Sequence, residues 1–354
     1  MTIIKDMIMQ SGMPQTKQIQ ISVHQRDYSL DVIKILSCVL VVLMHSLRAF
    51  DKTVELHPIL YYLTRCSMPL FFLAAGAVQL SKSEINSSYC FKKIKNILIL
   101  MSAYYGLDFI IRVAIFRDFS FYGLVASAKG AYWDFGVFWF LQTMIIIYLI
   151  LPWLHKGYKT HPIKLLVFFG SITLSLNAYN IINIQCYGAD HYVDTAVRQP
   201  LRLWTWLFYY LLGGVIYKKH KLLKMSKIKV WSLAVITTVI AISFMYYMFF
   251  ASTNIINGEY AYTSLTMMLW SSSLMIALLN VDFSKFKKAI SRMSAMLIPV
   301  YALHYTTIHR IVIPLDLFNG FWGQIVGYMV ILCITSFVAY VMTKIPFMKI
   351  FVKI

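Results

Sequence analysis

Charge is what this sequence has least of. Only 13% of its 354 residues are charged, and just 14 of those are Asp or Glu. A soluble domain carries about a quarter charged residues, so a water-solvated globule is excluded. The five cysteines (Cys38, Cys66, Cys90, Cys186 and Cys333) show no CxxC spacing. That argues against a disulfide framework or a zinc site. No GxSxG elbow, HExxH pair or P-loop occurs, which removes the serine-hydrolase, zinc-protease and P-loop signatures. No internal repeat, low-complexity tract or linker divides the chain. The first 25 residues, MTIIKDMIMQSGMPQTKQIQISVHQ, lack an apolar core long enough for a secretory leader. They read as a polar cytoplasmic tail, with residues 26–354 forming one integral membrane domain.

What is abundant is apolar surface. The chain is 59% apolar with a mean hydropathy of +0.67. Apolar runs of about 20 residues, enough to span a bilayer as helix, recur along its length. The expected fold is therefore all-α: a polytopic membrane helix bundle of about ten transmembrane helices. The runs lie near 31–50, 58–80, 96–116, 135–154, 163–185, 201–217, 230–251, 262–280, 295–312 and 323–343. An even number puts both termini on one side. The basic runs KKIK (92–95), KKHKLLKMSKIK (218–229) and KFKK (285–288) fall on that same side, which identifies it as the cytoplasm. This asymmetry accounts for the net charge of +19. Nucleic-acid binding would need a soluble basic domain, and none is visible. The opposite loops are rich in aromatic and polar groups. There Trp133, Trp204 and Trp206 suit either an interfacial belt or platforms for sugar rings.

Within the spans the polar residues are few and patterned. The first span, LDVIKILSCVLVVLMHS (30–46), carries Asp31 and Lys34 at one end and His45 at the other. Lys34 and His45 are eleven residues apart. That is three helical turns plus roughly 20°, so both lie on one face about 16 Å apart. Asp31 sits one turn before Lys34, within pairing reach. Polar groups in a span are costly and face a bundle interior or a water-filled cavity. Arg65 lies early in the second span, in TRCSMPLFFLAAGA (64–77). Asp108 and Arg112 are spaced i,i+4 and read as a structural ion pair. Asn177, Asn180 and Asn183 lie near the outer end of the fifth span, where they can bind hydroxyls or satisfy one another. The ninth span contains YALHYTTIHR (301–310), with His304 inside the membrane. An imidazole beside a cavity can act as general base on a hydroxyl, and cations can hold an anionic donor or an acyl carbonyl. Spacing alone does not separate this chemistry from a transporter with a proton-coupled histidine.

Ordered blocks extend the reading. Asp31, Lys34 and His45 in DVIKILSCVLVVLMH match a first-span Asp-x-x-Arg followed by ten residues and a histidine. RCSMPLFFLAAG, FWFLQTMIIIYLILP, WLFYYLLGGVIYKK and YALHYTTIH follow in sequence order. With these blocks the chain resembles the acyltransferase-3 family of integral membrane O-acyltransferases over roughly residues 26–343. It is most similar to the stand-alone members that acetylate bacterial surface polysaccharide, of the enterobacterial common antigen type. The resemblance implies a multi-pass protein of the bacterial cytoplasmic (inner) membrane. It implies acyl-CoA, acetyl-CoA above all, as donor substrate and no bound cofactor or metal. The implied acceptor is a hydroxyl of a cell-surface or lipid-linked glycan. It also implies catalytic roles for His45, Lys34 and Arg65, and substrate contacts from Asp31, His304, Tyr301 and Trp139. Lys34 stands where the family has arginine; lysine keeps the charge and loses the planar fork. The rival expectation is an exporter or flippase of a surface polysaccharide or its lipid-linked precursor. No halves of matching pattern, as such a carrier would show, are visible.

Overall fold

A computed structural model describes residues 26–50, 58–111, 113–114, 136–187, 197–222, 225–251, 259–315, 317–318 and 320–352. Among the described residues there is no strand. The helices are α1 (Tyr28–Phe50), α2 (Pro58–Leu63), α3 (Ser67–Leu80), α4 (Ser87–Ile111), α5 (Trp139–Thr160), α6 (Pro162–Tyr187), α7 (Leu203–Lys219), α8 (Lys227–Ala251), α9 (Leu265–Leu279), α10 (Lys287–Thr307) and α11 (Gly320–Lys344). A 3₁₀ turn, Thr64–Cys66, joins α2 to α3.

Each expected span falls mainly on helix among the described residues. Among the described residues, seven stretches are long and apolar enough to cross a membrane: Tyr28–Leu47, Ile59–Leu80, Ser87–Ile111, Trp139–Thr160, Pro162–Tyr187, Lys227–Met248 and Gly320–Lys344. An eighth is reached if α9 and the following segment, Ser284–Leu315, form one span broken by a bend of 78°. The helices expected at 201–217 and 262–280 are shorter than a bilayer requires. α7 has 17 residues and α9 has 15, against the roughly 20 needed for 30 Å of hydrocarbon. Trp206 to Leu211 of α7 are all buried, so this helix is wrapped by protein.

α1, α3, α7 and α10 form the centre of the bundle. α3 packs on α7 and α1, α1 packs on α10, and α11 closes over α1 and α10. The α3–α7 crossing depends on two glycines. A Cβ on Gly76 would lie 1.8 Å from the Tyr210 carbonyl oxygen, and one on Gly213 would lie 2.0 Å from the Leu73 oxygen. Backbone meets backbone there, as small residues allow between membrane helices. α4, α6 and α8 lie at the periphery and expose residues such as Phe109, Val167, Phe168, Val235 and Val239. Without water as solvent, that apolar exterior is the expected outcome.

α1 and α10 run in parallel. Ser294 donates to Asp31 (3.2 Å), the Cys38 thiol reaches the Leu297 carbonyl (3.8 Å), and His45 lies against His304. α3 runs the other way, so its start lies beside the end of α1. This register brings residues from three distant segments to each level of the bundle.

Candidate active site

At the end of the bundle that carries the basic runs, Asp31 is a buried anchor. It accepts from Arg26 Nε (2.5 Å), Ser294 Oγ (3.2 Å) and Lys34 Nζ (3.5 Å). The expected Asp31–Lys34 pair is therefore present, one turn apart on α1. One carboxylate among two cations leaves net positive charge. Lys34 then lines a cavity of about 330 Å³, together with Lys93, Ser294 and Gln79. The other walls are apolar or aromatic, including Phe71 of α3, Phe140 and Met144 of α5 and Leu297 of α10. Lysines at one end and apolar walls beyond suit a ligand with an anionic head and a long, mostly neutral arm.

Two of the lining residues lead on to further rings. Phe71 and Phe140 lie 5.4 Å apart, and each faces Tyr301, at 6.2 and 6.4 Å. Tyr301 is held by a hydrogen bond from its hydroxyl to the Val137 carbonyl, in the 3₁₀ turn that precedes α5. The next ring along α10 is His304, 5.9 Å from Tyr301, and then His45 of α1, 5.2 Å from His304. Tyr305 meets His45 edge-on at 5.5 Å. The Lys34–His45 stripe read from the sequence thus has the cavity at one end and a pair of imidazoles at the other. One layer of aromatic rings lies between them.

His304 is fully buried, whereas His45 is half-buried. The Nδ1 of His304 lies 2.7 Å from the Tyr301 carbonyl oxygen. Its Nε2 has no hydrogen-bond partner among the described residues.

Arg65 and Trp139 belong to a neighbouring cluster. The Arg65 guanidinium lies 5.0 Å from the Tyr61 ring and 5.3 Å from the Tyr262 ring, and its Nη1 contacts Met44 Sδ at 3.0 Å. It therefore touches the residue that precedes His45. Tyr262 leads on to Trp206 at 5.4 Å, and Trp206 stacks on Phe72 at 4.7 Å and sits 5.0 Å from Trp139. Phe72 meets Phe140 at 4.9 Å, which links this cluster to the cavity wall. Trp206 is buried and its Nε1 donates to the Gln199 carbonyl, so it packs the interior. Asn177 accepts from Thr263. Asp108 is buried, but Arg112, its expected partner, lies outside the described residues, as does Trp133.

Sequence reasoning missed Phe71, Phe140, Tyr305, Lys93 and Ser294. Phe71 and Phe140 sit inside RCSMPLFFLAAG and FWFLQTMIIIYLILP, but phenylalanine in an apolar span carries no polar signal. Lys93 stands in the basic run KKIK, where nothing distinguishes it from its neighbours. Nothing in the sequence marks Ser294.

Among the described residues no group of three or more His, Cys, Asp or Glu could hold a metal ion. Comparison with curated proteins and with solved structures finds no match. The profile of the acyltransferase-3 family, described as an acyltransferase domain, matches residues 27–344, and the chain belongs to this family.

Proposed function

We propose that this membrane acyltransferase moves an acyl group, acetyl first among candidates, from acyl-CoA on the cytoplasmic face to a hydroxyl of a surface or lipid-linked glycan. The observation that carries the reading is the single line on α1 from the Lys34-lined cavity to the His45–His304 pair. The donor's phosphates meet Lys34 and Lys93 at the basic end, where the surrounding Lys runs raise the local concentration of anions. The pantetheine arm occupies the apolar cavity. Its thioester passes the Phe71–Phe140–Tyr301 layer to reach His45.

His45 takes the proton of the acceptor hydroxyl as general base. The oxygen forms a bond to the thioester carbonyl carbon, the carbon–sulfur bond breaks, and the thiolate leaves with the proton returned from His45. Products are an O-acyl ester and CoA. Arg65, whose guanidinium contacts Met44 next to His45 in the chain, supplies positive charge toward the developing oxyanion. Asp31 holds Lys34 in place. An exporter would leave acyl-CoA unconsumed, which separates the two readings. Mass spectrometry of surface glycans from cells with and without the gene tests the proposal. A mass difference of one acyl group is expected, and it should vanish in His45→Ala. Identical glycan masses in all three would contradict it.

A further inference from the structure

His304 is fully buried, its Nε2 has no hydrogen-bond partner among the described residues, and its ring centre lies 5.2 Å from that of His45. The proton positions of its ring follow from the contact at Nδ1. A carbonyl oxygen can only accept, so the 2.7 Å contact with Tyr301 fixes the hydrogen on Nδ1. A neutral ring then leaves Nε2 as a bare lone pair. An unused acceptor in a buried site is an exception that calls for a partner.

The neighbouring ring can supply one. Two imidazoles joined by an N–H···N bond have ring centres about 5 Å apart, from roughly 3 Å between the nitrogens plus about 1 Å to each centre. The observed separation already matches, and the rings are tilted by 42°, so rotation of the His45 ring brings a nitrogen into line. Just beyond His304, α10 widens into a π-helical turn, Ile308–Val312. Such turns recur where a helix is adapted to a site.

We propose that His304 is a positioning residue. Its Nε2 accepts an N–H from His45 and so fixes which nitrogen of His45 faces the acceptor hydroxyl. This rests on the general-base role given to His45 above. A base oriented by a third group is the recurring arrangement in nucleophilic catalysis, and here the orienting group is a second imidazole. As His45 takes the hydroxyl proton on one ring nitrogen, the N–H of the other stays bonded to His304, and no further proton moves.

Two measurements test this. The first is solid-state NMR of the full-length, ¹⁵N-histidine-labelled protein in lipid vesicles. One ring protonated at Nδ1 and coupled through an N–H···N bond to a second ring is expected, with the coupling lost in His45→Ala. Absence of that coupling overturns the proposal. The second is CoA release from acetyl-CoA with saccharides extracted from the expressing cells. His304→Asn keeps a donor near Nδ1 and removes the acceptor at Nε2, whereas His304→Gln places an amide oxygen near Nε2. Asn should lower kcat by about 10- to 100-fold with KM for acetyl-CoA unchanged, and Gln should recover most of the rate. Equal effects of the two, in protein that still elutes as a folded species, overturn the proposal. Coupled rings in a wild-type protein that releases no CoA would support the contact and contradict the acyl-transfer reading instead.

Discussion

Lys34 is the residue at which charge and shape part ways. Its ammonium is held by Asp31 and lines the cavity, so it offers a point charge to an anionic donor. A charge-assisted hydrogen bond contributes about 1.5–3 kcal/mol. Lys34→Ala should therefore raise the KM for acetyl-CoA by about 10- to 100-fold. Lys34→Arg should keep it within about threefold, since the positive charge is retained. Steady-state kinetics on the purified protein checks both. Phe140 makes a separate prediction. Removing its ring in Phe140→Ala opens the cavity toward Tyr301. The ratio of kcat/KM for hexanoyl-CoA over acetyl-CoA should rise by about tenfold, the scale of a few methylenes in an apolar pocket. The Lys34–His45 stripe was legible because helical period alone fixes which residues share a face. The cavity was not legible, because it is made by phenylalanines from α3 and α5 meeting leucine and serine from α10. Nor could spacing reveal that Tyr301 fixes the His304 tautomer, which is a matter of one carbonyl.

At the scale of elements, the α3–α7 crossing is the most demanding feature of the bundle. Gly76→Ala and Gly213→Ala each drive a methyl into a carbonyl on the facing helix. Either should cost about 1–3 kcal/mol, the range for overpacking a tight interior. The midpoint of thermal unfolding in detergent should fall in both, whereas Gly106→Ala, with open space around the position, should leave it nearly unchanged. The expected spans located the helices, but some boundaries moved for physical reasons. α4 begins at Ser87 rather than near 96 because Asn86 accepts the Tyr89 N–H, a cap that hydropathy does not see. Lys92, Lys93 and Lys95 then continue the helix, their long stems able to lie along apolar surface while the charges stay in water. α10 likewise begins at Lys287 through an exposed, charged first turn. The shortness of α7 was not legible, because a helix wrapped by protein and one wrapped by lipid are equally apolar.

For the whole molecule, the basic runs give a direction as well as a charge. If the KKIK, 218–229 and KFKK segments face the cytoplasm, the end of α6 faces outward. Cys186 is exposed there. A membrane-impermeant maleimide added to intact cells should label Cys186 before lysis and should fail to label Cys186→Ser. Labelling that appears only after permeabilisation would reverse the bundle. Orientation matters to the mechanism, since the Lys34 end must meet acyl-CoA and the His45 end must meet the glycan. The central claim is that His45 is where the acyl group changes hands. Its most direct test is CoA release from acetyl-CoA by the purified protein in lipid vesicles, with extracted saccharides as acceptor, compared between wild type and His45→Ala. Loss of CoA release in the variant, with binding of acetyl-CoA retained, is the predicted result. Equal CoA release by both proteins would contradict it.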